Sequence, residues 1–362
     1  MIIEASTFPG PATPVPRSRA RKSRGWLLPA ACVSYLACVI AFWLITRQFG
    51  DRQWIATVLL LGPRWPFALP LLALWPWSLI TRRWWPAALT AIATVIVLIP
   101  VLGLRLSLPA TTDHADLRLL TCNVHRQQLK PEALATFIAE VHPDIVALQG
   151  WSEANYERVF ANRDWNAHRE GELLVASRFS IQRVTPLDLS DGTNVPAGER
   201  GAAGLFEIAA SSGTVTLICL HLASPHAGLG LFSSDGGDKL AGNLDRRGYE
   251  SEVVRAACQN VQGPLLLAGD FNTTDDSPIF HEHWDEFTDA FTQRGNGFGY
   301  TYLIRHTQLR IDHILARPTA EFVRCWVGPD VGSPHRPLVA DVRCRSAASS
   351  PASAAITPSV QP

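Results

Sequence analysis

The chain has 362 residues, 47% of them hydrophobic, with Lys+Arg and Asp+Glu equal at 32 each, which is room for one large domain or two ordinary ones. The zero net charge averages two unlike regions: residues 1–108 carry 11 basic against 2 acidic side chains, and the remainder carries 21 against 30. An acidic larger part argues against a sequence-independent grip on nucleic acid, which neutralises phosphates with several Lys or Arg side chains, and leaves a small phosphorylated substrate open. Seven cysteines is an odd count, and Cys32 and Cys38 sit in apolar sequence, so no disulfide framework is implied. Pairing of Cys325 with Cys344, in what read as the last two strands, stands as the alternative to buried free thiols.

In chain order, residues 1–25 read as a disordered cytoplasmic N-terminus, with too little apolar surface to offset ordering entropy. Residues 26–46, "WLLPAACVSYLACVIAFWLIT", have no charge and at about 1.5 Å per residue cross about 30 Å of hydrocarbon. A second apolar block, Trp54 to Ile80, is interrupted by "GPRWP" at Gly62 to Pro66; it reads as a short interfacial segment followed by a helix from Trp65. The third block, Trp84 to Leu104, is another clean span. Eight of the twelve tryptophans fall in this region, many near span ends, where amphipathic rings sit at headgroup level. Residues 26–108 are therefore expected to form an anchor of three transmembrane helices. The basic "RSRARKSR" before the first span and Arg82-Arg83 between the second and third belong on the cytoplasmic side. That places the chain after Leu108 outside the cytoplasm, as an integral protein of the cytoplasmic membrane. A cleaved signal peptide is the competing reading, but the first apolar run exceeds the usual length and no A-x-A-like site follows it.

From Asp116 the pattern changes to short apolar runs ending in polar groups. "LRLLTCNVH" ends in Asn123 and His125, "DIVALQG" in Gln149, "VTLICLHL" in His221 and "GPLLLAGDFN" in Asp270 and Asn272; "LRIDHIL" brings Asp312 and His313, and "GSPHRPLVADV" brings His335. Helical patterns lie between some of them, at Pro131 to His142 and Gly248 to Gln259. Continuous apolar strands mixed with helices imply sheets covered by helices, an α+β or α/β sandwich. Each polar ending has a plain structural reading: a lone His is more often a satisfied neighbour, and Asp270-Phe-Asn272 alone is an Asx-turn. Their convergence in one domain is what points to chemistry, since Asn, His, Asp-x-Asn, Asp and His are the groups that hold a divalent cation through oxygens and move a proton with imidazole.

"GDFN", the downstream "RIDHI" and the terminal "HRPLVAD" together resemble the endonuclease/exonuclease/phosphatase superfamily, deoxyribonuclease I-like magnesium-dependent phosphohydrolases, over about residues 116–344. The three-span anchor with "GPRW" more loosely resembles membrane-tethered bacterial members. The resemblance implies a four-layer α/β/β/α sandwich over residues 109–345; the Ala/Ser/Pro-rich tail, 346–362, reads as disordered from its composition. It implies Mg²⁺ or Mn²⁺ as cofactor, with Asn123 beside the metal, His221 at the scissile phosphate, and Asp270 and Asn272 orienting the attacking water and the phosphate. Asp312 would lie near metal or leaving group, and His335 would act as general base or transition-state donor. Arg178, in "ASRF", reads as structural.

Two positions depart from the family pattern. The metal-binding Glu after "ALQ" is Gly150, and the Asp of "SDHRP" is Pro334. Loss of the first is expected to weaken Mg²⁺ binding, with Glu153, three residues on, as the substitute ligand to test. Loss of the second is expected to leave His335 without a partner fixing its tautomer, a change that costs about 10⁴ in turnover in the serine-protease triad. Two readings stand. In one the chain is a membrane-anchored, weakly active hydrolase of a phosphodiester or pyrophosphate, acting on a phosphorylated small molecule or lipid-linked substrate at the bilayer. In the other it is a catalytically inactive relative kept as a phospho-ligand-binding or scaffold module. A nuclease is the third choice. The run from Ala223 to Arg247, rich in Gly, Ser and Asp, reads as a loop.

Overall fold

The computed structural model describes residues 26–108, 110, 114–125, 128–160, 164–192, 200–225 and 236–344. The segments expected to be disordered, 1–25 and 346–362, lie outside the described residues, as does 226–235 of the expected loop.

The apolar N-terminal part forms α1 (Leu27–Phe49), α2 (Trp54–Leu61), a 3₁₀ turn at Trp65–Ala68, α3 (Leu71–Thr81) and α4 (Trp84–Ile96), the last continued by a π-helical turn to Val101. Two helices are long and apolar enough to cross a membrane, Leu27–Phe49 and Trp84–Val101; Trp54–Leu61 and Trp65–Thr81 form a pair bent by 71°, a third span if counted as one. The bend has a local cause. Gly62 is extended, and Pro63 and Pro66 follow, so the helix loses a donor and its α-compatible neighbour at the same place.

The globular part runs β1 (Arg105–Leu106), β2 (Leu117–Asn123), α5 (Pro131–Val141), β3 (Ile145–Gln149), α6 (Tyr156–Val159), β4 (Asn166–Glu170), β5 (Leu173–Ser177), β6 (Ser180–Leu187), β7 (Ala202–Ala210) and β8 (Gly213–His221). There follow α7 (Gly236–Gln259), β9 (Leu265–Asp270), α8 (Pro278–Trp284), β10 (Thr288–Asp289), α9 (Ala290–Arg294), β11 (Asn296–Gly297), β12 (Tyr302–Ile304), β13 (Thr307–Leu309), β14 (Asp312–Ala316), β15 (Ala320–Val327) and β16 (Leu338–Cys344).

Two six-stranded sheets stack face to face, in the orders β15-β16-β2-β3-β5-β4 and β10-β14-β9-β8-β7-β6. Alternate residues of each strand divide between two buried faces, as a period of two requires. Leu119, Ala147 and Val175 meet Phe206, Leu217 and Ala268 between the sheets. Leu120, Val146 and Leu174 turn outward onto Leu134, Phe137 and Ile138 of α5. On the second sheet Ile218, Leu220 and Leu267 turn onto Val254 of α7 and Phe280 and Trp284 of α8. The result is the expected α/β/β/α sandwich, and burial on both faces is why the central strands read as unbroken apolar runs.

The sequence pattern placed one helix too late. α7 begins at Gly236, so much of the expected 223–247 loop is helical. Its inward stripe is Leu240, Leu244, Arg247, Ser251, Val254 and Cys258, all buried, at the alternating spacing of three and four that marks one helix face. Two members of that stripe are polar, which hid the period. The cysteines are all free: Cys325 sits opposite Ala340 and Cys344 opposite Ala320, so the Cys325–Cys344 alternative does not form. Arg178 stacks over Trp165 at 4.2 Å and its amide donates to Asp144 O.

Candidate active site

Each sheet contains one parallel seam, β2 with β3 and β8 with β9. Asn123 sits opposite Gln149 on the first and His221 opposite Asp270 on the second. β14 runs antiparallel beside β9 and sets Asp312 against Asp270, and His335 forms a bridge to Tyr302 just before β16. The fold therefore brings Asn123, His221, Asp270, Asn272, Asp312 and His335 to one end of the sandwich.

Asp270 is the hub. Its Oδ2 accepts from Asn123 Nδ2 at 2.9 Å and its Oδ1 from the Asn272 amide at 2.9 Å. Asn272 adopts φ +49, and its Nδ2 donates to Leu222 O at 2.7 Å. Near Asp270 Oδ2 lie His221 Nε2 at 3.6 Å and His335 Nε2 at 3.7 Å. Each imidazole points its other nitrogen at a second carboxylate. His335 Nδ1 donates to Asp312 Oδ2 at 2.8 Å, and His221 Nδ1 donates to Glu172 Oε1 at 2.6 Å. Three carboxylates thus alternate with two imidazoles.

Two expectations are corrected by this geometry. Pro334 does not leave His335 without an orienting carboxylate, because Asp312 supplies it. The turn around Pro334 is held by Ser333, whose hydroxyl donates to Asn123 O at 2.6 Å and accepts from the His335 amide at 3.1 Å. Glu153 does not replace the missing glutamate. It begins a short 3₁₀ turn on the surface, 61% exposed, facing Arg169 at 3.8 Å. Gln149 and His313 are also outside the cluster. Gln149 is buried against Thr121 and Ala147, and His313 is fixed between Asp289 Oδ2 at 2.9 Å and Thr273 O at 3.0 Å.

Glu172 was missed because it stands before its strand, at the tip of the β4–β5 hairpin, where a surface glutamate is the default reading. A usable signal was present. It follows Gly171, at φ +59, and precedes the wholly buried Leu173–Ser177, so its side chain enters at the same sheet end as the other groups. Its carbonyl also accepts from the Trp151 amide at 2.9 Å, tying it to the turn at Gly150. That glycine has φ +60, and a Cβ built on it would lie 2.9 Å from Asn123 Oδ1. The backbone here leaves little room for a side chain.

The electrostatics follow from burial opposed by charge. Burial pulls His221 down, but the Glu172 hydrogen bond and the charges of Asp270, Glu172 and Asp312 outweigh it and raise the imidazole to about 9. For His335 burial is likewise outweighed by Asp312 and Asp270, and its value rises. Asp270 is raised by burial and by the neighbouring Asp312, against the lowering effect of His335 and His221. Both imidazoles are thus pushed towards the imidazolium form, and Asp270 towards its protonated form.

Asp270, Asp312 and His335 each offer one ligand atom, all within 4.8 Å of one another. Oδ1 of Asp312 is buried without a hydrogen-bond partner, an acceptor that a cation would satisfy, and carboxylates are the hard donors Mg²⁺ takes. The residues present therefore fit a divalent cation. Asn123 presents its Nδ2 to Asp270, while its Oδ1 accepts from the His125 amide at 3.0 Å.

Comparison with known proteins agrees with the fold. The endonuclease/exonuclease/phosphatase family matches residues 120–335, the interval that holds every member of the cluster. A Bacteroides vulgatus endonuclease/exonuclease/phosphatase structure superposes with a TM-score of 0.50 at 15% identity, covering 64% of this chain and 100% of that one. A second, from Beutenbergia cavernae, gives 0.47 at 18%, covering 65% and 73%. The Bacteroides thetaiotaomicron mannosyl-6-phosphatase gives 0.48 at 14%, covering 62% and 99%. Among curated proteins no match was found. With the family match spanning more than half its length, the chain belongs to the endonuclease/exonuclease/phosphatase family.

Proposed function

We propose that the chain is a membrane-anchored, metal-dependent hydrolase of a phosphodiester or pyrophosphate at the bilayer surface, its substrate a phosphorylated small molecule or a lipid-linked one. The observation that carries this reading is the pair of acid–imidazole dyads, Glu172–His221 and Asp312–His335, whose Nε2 atoms lie 3.6 and 3.7 Å from Asp270 Oδ2. The His221 imidazolium, its Nε2 turned to this point, binds a phosphoryl oxygen and stabilises the charge that builds on it, while Asp312 orients the His335 ring on the other dyad. Asp270, disposed to take a proton, faces the same point and serves a water nucleophile. Asn123 and Asn272 hold Asp270 by donating to its two oxygens. Bound by Asp270, Asp312 and His335, a divalent cation supplies charge neutralisation at the phosphate.

The bilayer part of the reading rests on how closely the apolar helices approach the site. The Tyr302 ring packs on His335, 4.9 Å between ring centres, and also against the cluster of Leu61, Leu309 and Ile311. Leu61 ends α2, so the cluster on which Tyr302 packs includes a side chain of the apolar helices. The positive-inside pattern supports a location of this end outside the cytoplasm. The acidic globular part disfavours nucleic acid.

One observation favours the second reading, a phospho-ligand-binding module: at Gly150 a side chain is missing and a replacement is sterically opposed. Turnover of bis-p-nitrophenyl phosphate, an isoprenyl pyrophosphate and DNA by the full chain in detergent, with Mg²⁺ or Mn²⁺, separates the readings. Hydrolysis lost in Asp270→Ala and in His335→Ala supports the enzyme. No turnover of any substrate, with phosphate binding retained, supports the binding module.

A further inference from the structure

We infer that Asp51, in the turn after α1, is a positioning residue for the site, so that the anchor completes the loop carrying Asp270 and Asn272; this rests on the hydrolase reading above. Asp51 has no exposed side-chain surface, and neither does its partner Arg247 of α7. Its two oxygens are divided between two parts of the globular domain: Oδ1 accepts from Arg247 Nη2 at 2.9 Å and Oδ2 from Thr273 Oγ1 at 3.1 Å. Thr273 follows Asn272 directly. Nearby residues are held as well: Asp275 takes Arg105 of β1 at 2.7 Å and also Arg310, and Asp276 takes Arg64 of the anchor through both carboxylate oxygens at 2.9 and 3.2 Å. Two turns of the anchor, at Asp51 and Arg64, thus grip Thr273 and Asp276, with Arg105 of β1 on Asp275 between them.

The grip matters because Asn272 is a non-glycine residue at φ +49. Such a conformation is tolerated by asparagine better than by most residues, and it persists where the surroundings over-determine it. One side of the turn is fixed by Leu222 O, which accepts from Asn272 Nδ2. The other is fixed by Asp51 through Thr273, whose hydroxyl also meets Ser277. Arg247 adds directionality. Its Nε and Nη1 are buried without partners, so Asp51 carries its counter-charge, and a buried guanidinium deprived of it is strongly unfavourable. Arg52–Glu282 at the same interface is 61% and 58% exposed, the kind of pair that contributes little, and so provides the control.

The experiment uses the full chain in lipid nanodiscs and compares Asp51→Asn, Thr273→Val and Glu282→Gln with the parent. Asp51→Asn retains an acceptor for Thr273 but loses the charge facing Arg247; Thr273→Val retains the ion pair but cuts its link to the loop. Both are expected to speed amide exchange in residues 271–277 while leaving 320–327 unchanged, and to lower kcat on bis-p-nitrophenyl phosphate by about 10²-fold with KM within about twofold. Glu282→Gln is expected to match the parent. The inference is overturned if exchange in 271–277 does not change, or if it rises equally throughout the chain, which is the signature of a merely structural pair. Should the parent not turn over, the hydrolase reading fails on that result, and the exchange comparison still decides whether Asp51 holds the loop.

Discussion

Oε1 of Glu172 lies 2.6 Å from Nδ1 of His221, and this contact sets the charge of the imidazole that faces Asp270. In metal-free protein the His221 C–H resonance should titrate near pH 9. The value is raised above the ordinary one near 6.5, so the stability that the pair contributes is complete below that pH and is lost as pH rises through about 9. Glu172→Gln should move the midpoint downward and reduce turnover by about 10²–10⁴. An unchanged midpoint would contradict the dyad.

Asp312 and His335 make the matching test on the other side. Asp312→Asn keeps the size of the side chain but favours the wrong tautomer of His335, and should lower kcat by about 10⁴ with KM little altered. A loss below tenfold would show that Asp312 does not orient the imidazole.

Gly150 should resist repair. Gly150→Ala adds strain at φ +60 and a close contact with Asn123 Oδ1, together about 1–3 kcal/mol, measurable by urea denaturation. Gly150→Glu should be destabilised at least as much and should not tighten Mg²⁺ binding measured by calorimetry. Tighter binding would show that the turn relaxes to admit the side chain.

Asp289 gives an acid-stability prediction. Burial opposes its ionisation, but Arg310 and His313 outweigh burial and hold the carboxyl well below the usual range. A depressed carboxylate contributes stability above its unfolded value, about 3.9, which is lost as pH falls through that value towards the folded one. Asp289→Asn should be less stable at pH 7 by about 3 kcal/mol and should show a flatter loss below pH 4 in thermal melts. Parallel acid profiles would refute the assignment.

Where strands deliver their own chemistry, the site was legible: Asn123, His221 and Asp270 close apolar runs, and each apolar run dictates its strand. What the sequence concealed depends on pairing across the chain. That Asp312 faces His335 follows only from β14 lying beside β9 and next to the turn before β16. Glu172 belongs to a hairpin tip, where composition does not separate a site carboxylate from a solvated one. The early start of α7 was hidden by Arg247 and Ser251 on its buried face, and Arg247 is there because Asp51 is. A period-based reading treats a charged residue as outward, so a buried ion pair between distant segments misleads it at both ends.

The Asp51–Arg247 contact joins residues 196 positions apart, with Asp51 made first. At about 5–20 residues per second of synthesis, the aspartate waits roughly 10–40 s for its arginine. The apolar helices are therefore made before the segment that carries Asp270, and the contact that ties Asp51 to Arg247 closes only once both halves of the chain are present.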